Sequence, residues 1–554
     1  MLTLDSPSTI VFAAALCVLW LVSSRLRVAK SLPPLPPGPR KWPLVGNLFS
    51  LTSRPWEPCM QWSREYNSDI IHLNLAGTSV IVLSSLGATD ALLEKRSAIY
   101  SDRPPAPMAG DLMGWKFLFV LMNYGKTNQP HHLQESFSPR ADSVHPFAGD
   151  EWRTHRRLFN QELNLPSTKR EIRTSARVAA HALLRRLLDG PEGYRGHLHR
   201  FAGEIIISLT YGADAVVGDA PYIALAEQAA KSVAGAMVPG RFLVDVLPLL
   251  RYIPEWFPGA GFQSIAREGK KLAEKTRDVP FTDTKRKMEE GTAQPCFTVN
   301  ALQALDSSSP SKSSSSSSYY DESTVKNVAA VMYIAGVDTI TTTLTVFILA
   351  MVLHPEVLKK AQGEVDAVLK RKGGELPDFD DEEALPYVAA VVREVLRWRP
   401  TGPIAVPHRL STDDEYQGYH LPAGSLVIGN AWAILRDEKL YGSNTEAFKP
   451  ERFLLDDGAL NKTIPHPETS VFGFGRRVCP GRHVAMSAIW IAVVSMLATL
   501  DLGRSMDEKE EGEEPDENAF EGGILFAPLP FKCSIMPRSK EAVELVRDVS
   551  GFEH

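Results

Sequence analysis

The chain has 554 residues, 44% of them hydrophobic, and a formal net charge of −6. Length and apolar content allow a large buried core, and the mild acidity gives no support for nucleic-acid binding. Its five cysteines (Cys17, Cys59, Cys296, Cys479 and Cys533) are few, odd in number and scattered. They do not read as a disulfide framework, and they suit a reducing compartment.

From Pro7 to Ser24 no residue is charged, and residues 10–22 are wholly apolar. As a helix this run spans about 27 Å, which suits a thin bilayer. Asp5 precedes it, and Arg25, Arg27 and Lys30 follow it. The basic flank is expected to stay cytosolic, with the N-terminus in the lumen. A cleaved signal peptide would carry its basic residues before the apolar run and a small-x-small site after it. The expectation is therefore a retained anchor over residues 1–30. Residues 31–40, with Pro33, Pro34, Pro36, Pro37 and Pro39, cannot be helical and predict a stiff hinge between membrane and body. Residues 41–554 read as one body, because no further stretch looks like a linker.

Residues 70–84 predict a β-hairpin turning near Gly77. Residues 183–188, 202–211 and 222–236 have helical periodicity. Residues 307–318 are serine broken only by Pro310 and Lys312, and predict a solvated, disordered loop. Residues 328–353 predict a long apolar core helix. Within it, Ala335-Gly336-Val337-Asp338-Thr339 sets an acid and a hydroxyl where uncompensated burial is costly. The small pair Ala335-Gly336 leaves room for a ligand. A glycine kink, with Thr339 bonded to a backbone carbonyl, is the structural alternative. Residues 387–399 predict a helix stopped by Pro400, on which Glu394 and Arg397 share a face and can pair. Short strands are expected at 405–410, 426–428 and 531–536, and a solvated charged loop at 507–517. The balance predicts a mainly α chain with small β-sheets.

The most informative stretch is Phe472-Gly473-Phe474-Gly475-Arg476-Arg477-Val478-Cys479-Pro480-Gly481. A helix predicted from Arg482 onward puts Cys479 at a helix N-terminus, where the partial positive charge favours a thiolate. Backbone N–H groups aimed at the sulfur would keep it deprotonated. Gly475 and Gly481 lack a Cβ, so the backbone can fold sharply and approach the sulfur and a flat cofactor. Arg477 is placed to reach a propionate, and Phe472 can shield the sulfur from water. These are the needs of a protein that holds haem iron by a thiolate. The alternative is a buried free cysteine in an ordinary loop.

The pattern Phe-x-x-Gly-x-Arg-x-Cys-x-Gly, filled by Phe472, Gly475, Arg477, Cys479 and Gly481, resembles the haem-binding signature of the cytochrome P-450 monooxygenases. The similarity runs through essentially the whole chain. It implies the cytochrome P-450 fold: one haem domain behind an N-terminal transmembrane helix. Haem b (iron protoporphyrin IX) would bind with Cys479 as the axial ligand of its iron. The resemblance also implies a structural network of Glu394 and Arg397 with Arg452 of Pro450-Glu451-Arg452-Phe453. Asp338 and Thr339 would deliver protons during oxygen activation. Trp152 and Arg156, four apart on a helix, and His408 and Arg409 after Pro407 would contact the haem propionates. One departure is Ile340, where the family often has a second Thr or Ser after Thr339.

The function so implied is insertion of one oxygen atom from O2 into a lipophilic small molecule, a secondary metabolite or xenobiotic. Electrons would come from NADPH through a flavoprotein NADPH-cytochrome reductase, with cytochrome b5 as a further partner. The reductase would dock on a basic face formed by Arg153, Arg157, Arg476 and Arg482. The implied location is the endoplasmic reticulum membrane, single-pass, with the body in the cytosol. Residues 252–259 and 528–535 are similar to fungal microsomal enzymes related to O-methylsterigmatocystin oxidoreductase. Two rivals are a haem-thiolate isomerase or dehydratase that needs no O2, and a non-catalytic membrane haem protein. Retention of Asp338 and Thr339 speaks against the first.

Residues 126–149 are rich in Pro, His and Ser and lack any period. In the resembling enzymes, a pair like Tyr124-Gly125 runs straight into the Trp-bearing helix. Gly125-Lys126 can be encoded with GTAAG and Ala148-Gly149 with GCAG, as at intron ends, and the joined codon is again glycine. The expectation is a retained intron. A genuine surface loop, which costs little to close at that length, is the alternative, and it would favour the non-catalytic rival.

Overall fold

The computed structural model describes residues 33–124, 148–216, 221–238, 240–307, 319–506, 512–523 and 525–548. The expected anchor, most of residues 126–149, most of the serine run and part of the charged run lie outside them. The longer helices are α1 (Trp56–Glu65), α2 (Ala148–Asn164), α3 (Pro166–Asp189), α4 (Tyr194–Tyr211), α5 (Pro221–Ala236) and α6 (Gly261–Glu289). They continue with α7 (Phe297–Ser307), α8 (Glu322–Leu353), α9 (Pro355–Arg371), α10 (Pro386–Trp398), α11 (Arg482–Thr499) and α12 (Lys540–Asp548). The chain is mainly helical with small sheets, as its sequence predicts.

Helix α8 is the central rod. Asp321 caps it by accepting the Thr324 N–H at 2.8 Å. From Thr324 to Val352 it is buried on nearly every face, so its uniform apolarity reflects a core position. Helices α8 and α11 are long and apolar enough to cross a membrane, but both are mostly buried inside the protein. Helix α4 crosses α8 where Gly336 leaves space. A Cβ there would lie 2.5 Å from Ile206 Cδ1, so at Gly336 the room expected for a ligand is taken by α4, and the glycine sets the closeness of the two helices. Helix α10 starts at Pro386, and Glu364 of α9 accepts the N–H groups of Tyr387 and Val388, each at 2.9 Å.

Strands β1 (Ile70–Leu75) and β2 (Thr78–Leu83) form the predicted hairpin, with Ala76 and Gly77 at positive φ in its turn. After β3 (His408–Arg409), β4 (Asp414–Tyr416) and β5 (Tyr419–Leu421), β6 (Leu426–Gly429) joins the hairpin. The sheet order is β1-β2-β6-β3, with β2 and β6 parallel. Near the C-terminus, β7 (Leu500–Met506) pairs with β8 (Gly512–Glu513) and β11 (Cys533–Pro537), and β9 (Phe520–Glu521) with β10 (Ala527–Pro528).

Three expectations change in detail. The strand at 405–410 shrinks to His408–Arg409, because Pro407 supplies no N–H to a ladder. Gly512 and Glu513 of the charged run pair with Met506 and Ser505, so its end is a strand edge and not free loop. The described part of the proline segment is docked on the body: Pro34 accepts the His420 N–H and Pro37 the His72 N–H, each at 2.8 Å. Prolines keep their carbonyls as acceptors although they cannot donate.

Candidate active site

The loop before α11 is built on two left-handed glycines, Gly473 (φ +79) and Gly475 (φ +56). At Gly475 a Cβ would lie 1.9 Å from the Leu93 carbonyl oxygen, so any side chain collides with backbone. A tight turn over Gly475–Arg477 brings the Cys479 N–H onto the Phe472 carbonyl at 2.7 Å. Gly481 caps α11 at an ordinary φ of −84, and a Cβ there would stand 4.0 Å from the Cys479 sulfur. The sulfur itself therefore does not demand glycine at 481. Phe474 is the deeply buried phenylalanine, packed where Gly429 has no Cβ, while Phe472 is half-buried.

Burial pushes the Cys479 thiol up, opposed by the Gly481 N–H and by Arg156 and Arg482. One N–H donor and two nearby positive charges favour a thiolate but do not outweigh desolvation. A Lewis acid that replaces the thiol proton reverses the balance, because metal binding releases the proton of its thiol ligand.

Cations converge beside this loop. Arg477 is buried and donates to the carbonyls of Ser101 (2.8 Å), Phe119 (3.1 Å) and Met122 (2.6 Å). Its guanidinium lies 4.6 Å from the Trp152 ring centre, and burial pushes its pKa down to about 9. Arg156 donates to the Val478 carbonyl; burial takes it down to about 10, against the pull of Cys479. His408 is buried with Nδ1 2.8 Å from the Tyr100 carbonyl. Burial, Arg103 and Arg477 hold it well below the usual histidine range. Arg409 is only half-buried, and its backbone N–H reaches the Asp102 carbonyl.

Sequence reasoning missed Arg103. It is buried and donates to the carbonyls of Val120 (2.9 Å), Val406 and Pro407 (both 2.6 Å). Nothing periodic in Ser101–Pro105 marks it, because an arginine between loops shows its burial only in three dimensions. Asp102 is the acid that faces Arg103, Arg409 and Arg477, and burial raises its own pKa. Several buried cations against one reluctant carboxylate are a costly arrangement. A ligand carrying two carboxylates beside a thiolate-bound metal relieves it, so this donor set fits haem.

On α8, Ala335 is exposed and Gly336, Asp338 and Thr339 are half-buried, inside a helix otherwise buried. Residues 401–402 and 404–407 are also partly exposed. Exposure at the centre of a core helix means internal space beside it. Thr339 Oγ1 donates to the carbonyls of Ala335 (3.2 Å) and Gly336 (3.4 Å), and Thr343 meets Thr401 hydroxyl to hydroxyl at 3.0 Å. Thr339 thus combines a carbonyl bond with a position on that space.

Glu394, Arg397 and Arg452 do assemble. Glu394 accepts from Arg397 at 2.6 and 2.8 Å and from Arg452 at 3.1 Å, with Glu394 and Arg397 fully buried. The remaining guanidinium donors reach carbonyls of Leu435, Thr445, Ala447 and Tyr441. Every charge is paired and solvated by backbone, which is what lets a buried ion cluster persist.

A thiol loop on a central helix bundle, beside a cage of buried cations, defines a haem-thiolate protein. Residues 120–535 match the sequence model of the Cytochrome P450 family. The chain is 44% identical over 536 residues to cytochrome P450 monooxygenase 98 of Postia placenta, covering 96% of this chain and 95% of that protein. It is 42% identical over 547 residues to a cytochrome P450 monooxygenase of Armillaria gallica, covering 98% and 99%. It is 36% identical over 538 residues to tryptamine 4-monooxygenase of Psilocybe cyanescens, covering 97% and 98%. This chain belongs to the cytochrome P450 family, and its relatives make it a haem-dependent monooxygenase.

Proposed function

We propose that this monooxygenase hydroxylates or epoxidises a lipophilic secondary metabolite or xenobiotic, with NADPH electrons passed on by a flavoprotein reductase. The cation cage around Cys479 is the observation that carries the reading. When bound, the haem supplies the oxygen-activating chemistry. Cys479 would ligate its iron. Arg477, Arg156, Trp152, His408 and the unanticipated Arg103 would hold its propionates, with Arg409 at the rim. Phe472, Gly475 and Gly481 would shape the loop around the sulfur. Asp338 would hold a proton at its carboxylate and Thr339 would present its hydroxyl to the substrate side. Glu394, Arg397 and Arg452 would keep the supporting framework rigid. The roof of residues 107–113 and 242–257 would close the apolar interior and limit the entry of water.

For electron entry, Arg153, Arg157, Arg476 and Arg482 support a basic docking face for an acidic reductase or cytochrome b5. Reduction rates that fall steeply with salt are expected. A membrane location is supported by the apolar N-terminal run and by a second observation. Leu243, Val246, Leu247, Leu249, Tyr252 and Trp256 are exposed within one short segment, Leu249 by 80% and Trp256 by 81%. Such a cluster suits a bilayer surface better than water. The endoplasmic reticulum, with the body on the cytosolic side, is the compartment that fits.

The intron reading of residues 126–149 gains support from Tyr124 and Trp152, which stack edge-to-face at 5.0 Å across the segment's two flanks. A chain joined directly would keep this contact. Transcripts that uniformly contain the segment would overturn the reading. Product profiling in a host bearing the reductase, with and without NADPH, tests the function. Oxygenated product only with NADPH is expected, and turnover without it would favour the isomerase reading.

A further inference from the structure

Asp338 has a partner on the outer side of α8. His199 of α4 brings Nε2 to 3.3 Å from Asp338 Oδ1, with the side chains 18% and 22% exposed. The distance is that of an ion pair, yet no acceptor lies in line with the buried Nε2. Both observations hold together if the helices fix the proximity and the carboxylate stands turned aside. Carboxylate torsions are soft, and a small rotation gives the orphaned nitrogen its acceptor, relieving the cost of an unmade bond.

The pair also has a route to solvent. Glu227 and Lys231 of α5, joined at 2.6 Å, sit at its edge. Lys231 interacts with Asp338 and with Glu521 of β9, and Glu227 interacts with His199. These are the charged groups that face the pair from α5 and β9. On the other side, Thr339 borders the internal space. Asp338 therefore stands between a titratable ring near water and a hydroxyl at the cavity.

We propose that His199 is the positioning residue for Asp338 and its source of protons. This rests on the reading of Asp338 as the proton-delivering acid. The imidazole takes a proton from hydronium at Nδ1, breaking an O–H bond and forming an N–H bond, and gives its Nε2 proton to Asp338 Oδ1. An N–H bond breaks, an O–H bond forms, and no electrons move. The ring is then recharged from solvent past Glu227 and Lys231.

The test uses the full-length holoenzyme with its reductase and the variants His199→Phe and His199→Gln. A pH-difference infrared spectrum locates the Asp338 carboxyl band by its loss in Asp338→Asn. His199→Phe should shift that band, lower turnover roughly tenfold and raise the solvent deuterium isotope effect. His199→Gln still donates to the carboxylate but cannot titrate. It should keep the band near its normal position while flattening the pH profile of turnover. An unmoved band and isotope effect in His199→Phe would overturn the proposal. So would a pH profile in His199→Gln that matches the unmodified protein, and this second variant decides the matter if His199→Phe fails to fold. If Asp338→Asn leaves turnover and isotope effect unchanged, it is the role of Asp338 that fails, a different result from a silent His199.

Discussion

The floor and the roof of the interior are built differently. The floor is the Cys479 loop with the cluster of Glu394, Arg397 and Arg452 behind it. Its charges are buried and fully paired, and its backbone is pinned by left-handed glycines. The roof, residues 107–113 and 242–257, is tied by single contacts. Asp245 accepts the Met108 N–H at 2.9 Å, and Arg251 stands 3.7 Å from Asp111. Much of its apolar surface points outward. A pinned floor holds the chemistry in place, while a lightly tied roof leaves room for divergence in substrate.

Four substitutions sharpen this contrast, beginning with the largest expected effect. Glu394→Gln leaves two buried guanidinium groups without their carboxylate, which costs about 3–5 kcal/mol. Purified protein should lose most of its haem and melt well below the unmodified protein; full haem content would contradict a rigid floor. Gly475→Ala drives a Cβ into the Leu93 carbonyl at a positive φ. The left-handed conformation alone costs ~1–2 kcal/mol, so a sharp fall in the haem-to-protein absorbance ratio is expected.

His408 supplies a pH test. Its folded pKa lies below the unfolded value because burial disfavours the cation. The unfolded chain therefore binds the extra proton, and stability falls as pH drops below the ordinary histidine pKa of about 6.5. His408→Gln should flatten the slope of Tm between about pH 7 and pH 5, and an unchanged slope would place the acid sensitivity elsewhere. His72 and His466, both pushed down to about 4 by burial, keep part of the slope. Asp245→Ala should have the smallest effect, about 1 kcal/mol for one hydrogen bond. It should quicken amide exchange in residues 107–113 and leave haem content intact. Lost haem would mean that roof and floor are coupled.

Most of the floor was legible in the sequence because it is local, whereas Arg452, 58 residues from Glu394, joined it only through the family resemblance. Ten consecutive residues carry the loop, and Glu394 with Arg397 lie one helical turn apart. The hairpin around Gly77 and the core helix through Ala335 were legible for the same reason, since periodicity and turn chemistry are short-range. Arg103 was not legible: its carbonyl partners at Val120, Val406 and Pro407 come from distant segments. Nor was His199, whose meaning depends on the angle at which α4 crosses α8. The docking of the proline segment escaped notice because carbonyl acceptance leaves no compositional mark.

The most direct test is the carbon-monoxide difference spectrum of the reduced full-length protein beside that of Cys479→Ser. The unmodified protein should give the red-shifted Soret band of thiolate ligation, and the variant should lose it, because a serine hydroxyl cannot replace the thiolate donor. A variant that keeps the thiolate band would show that Cys479 is not the ligand of the haem iron.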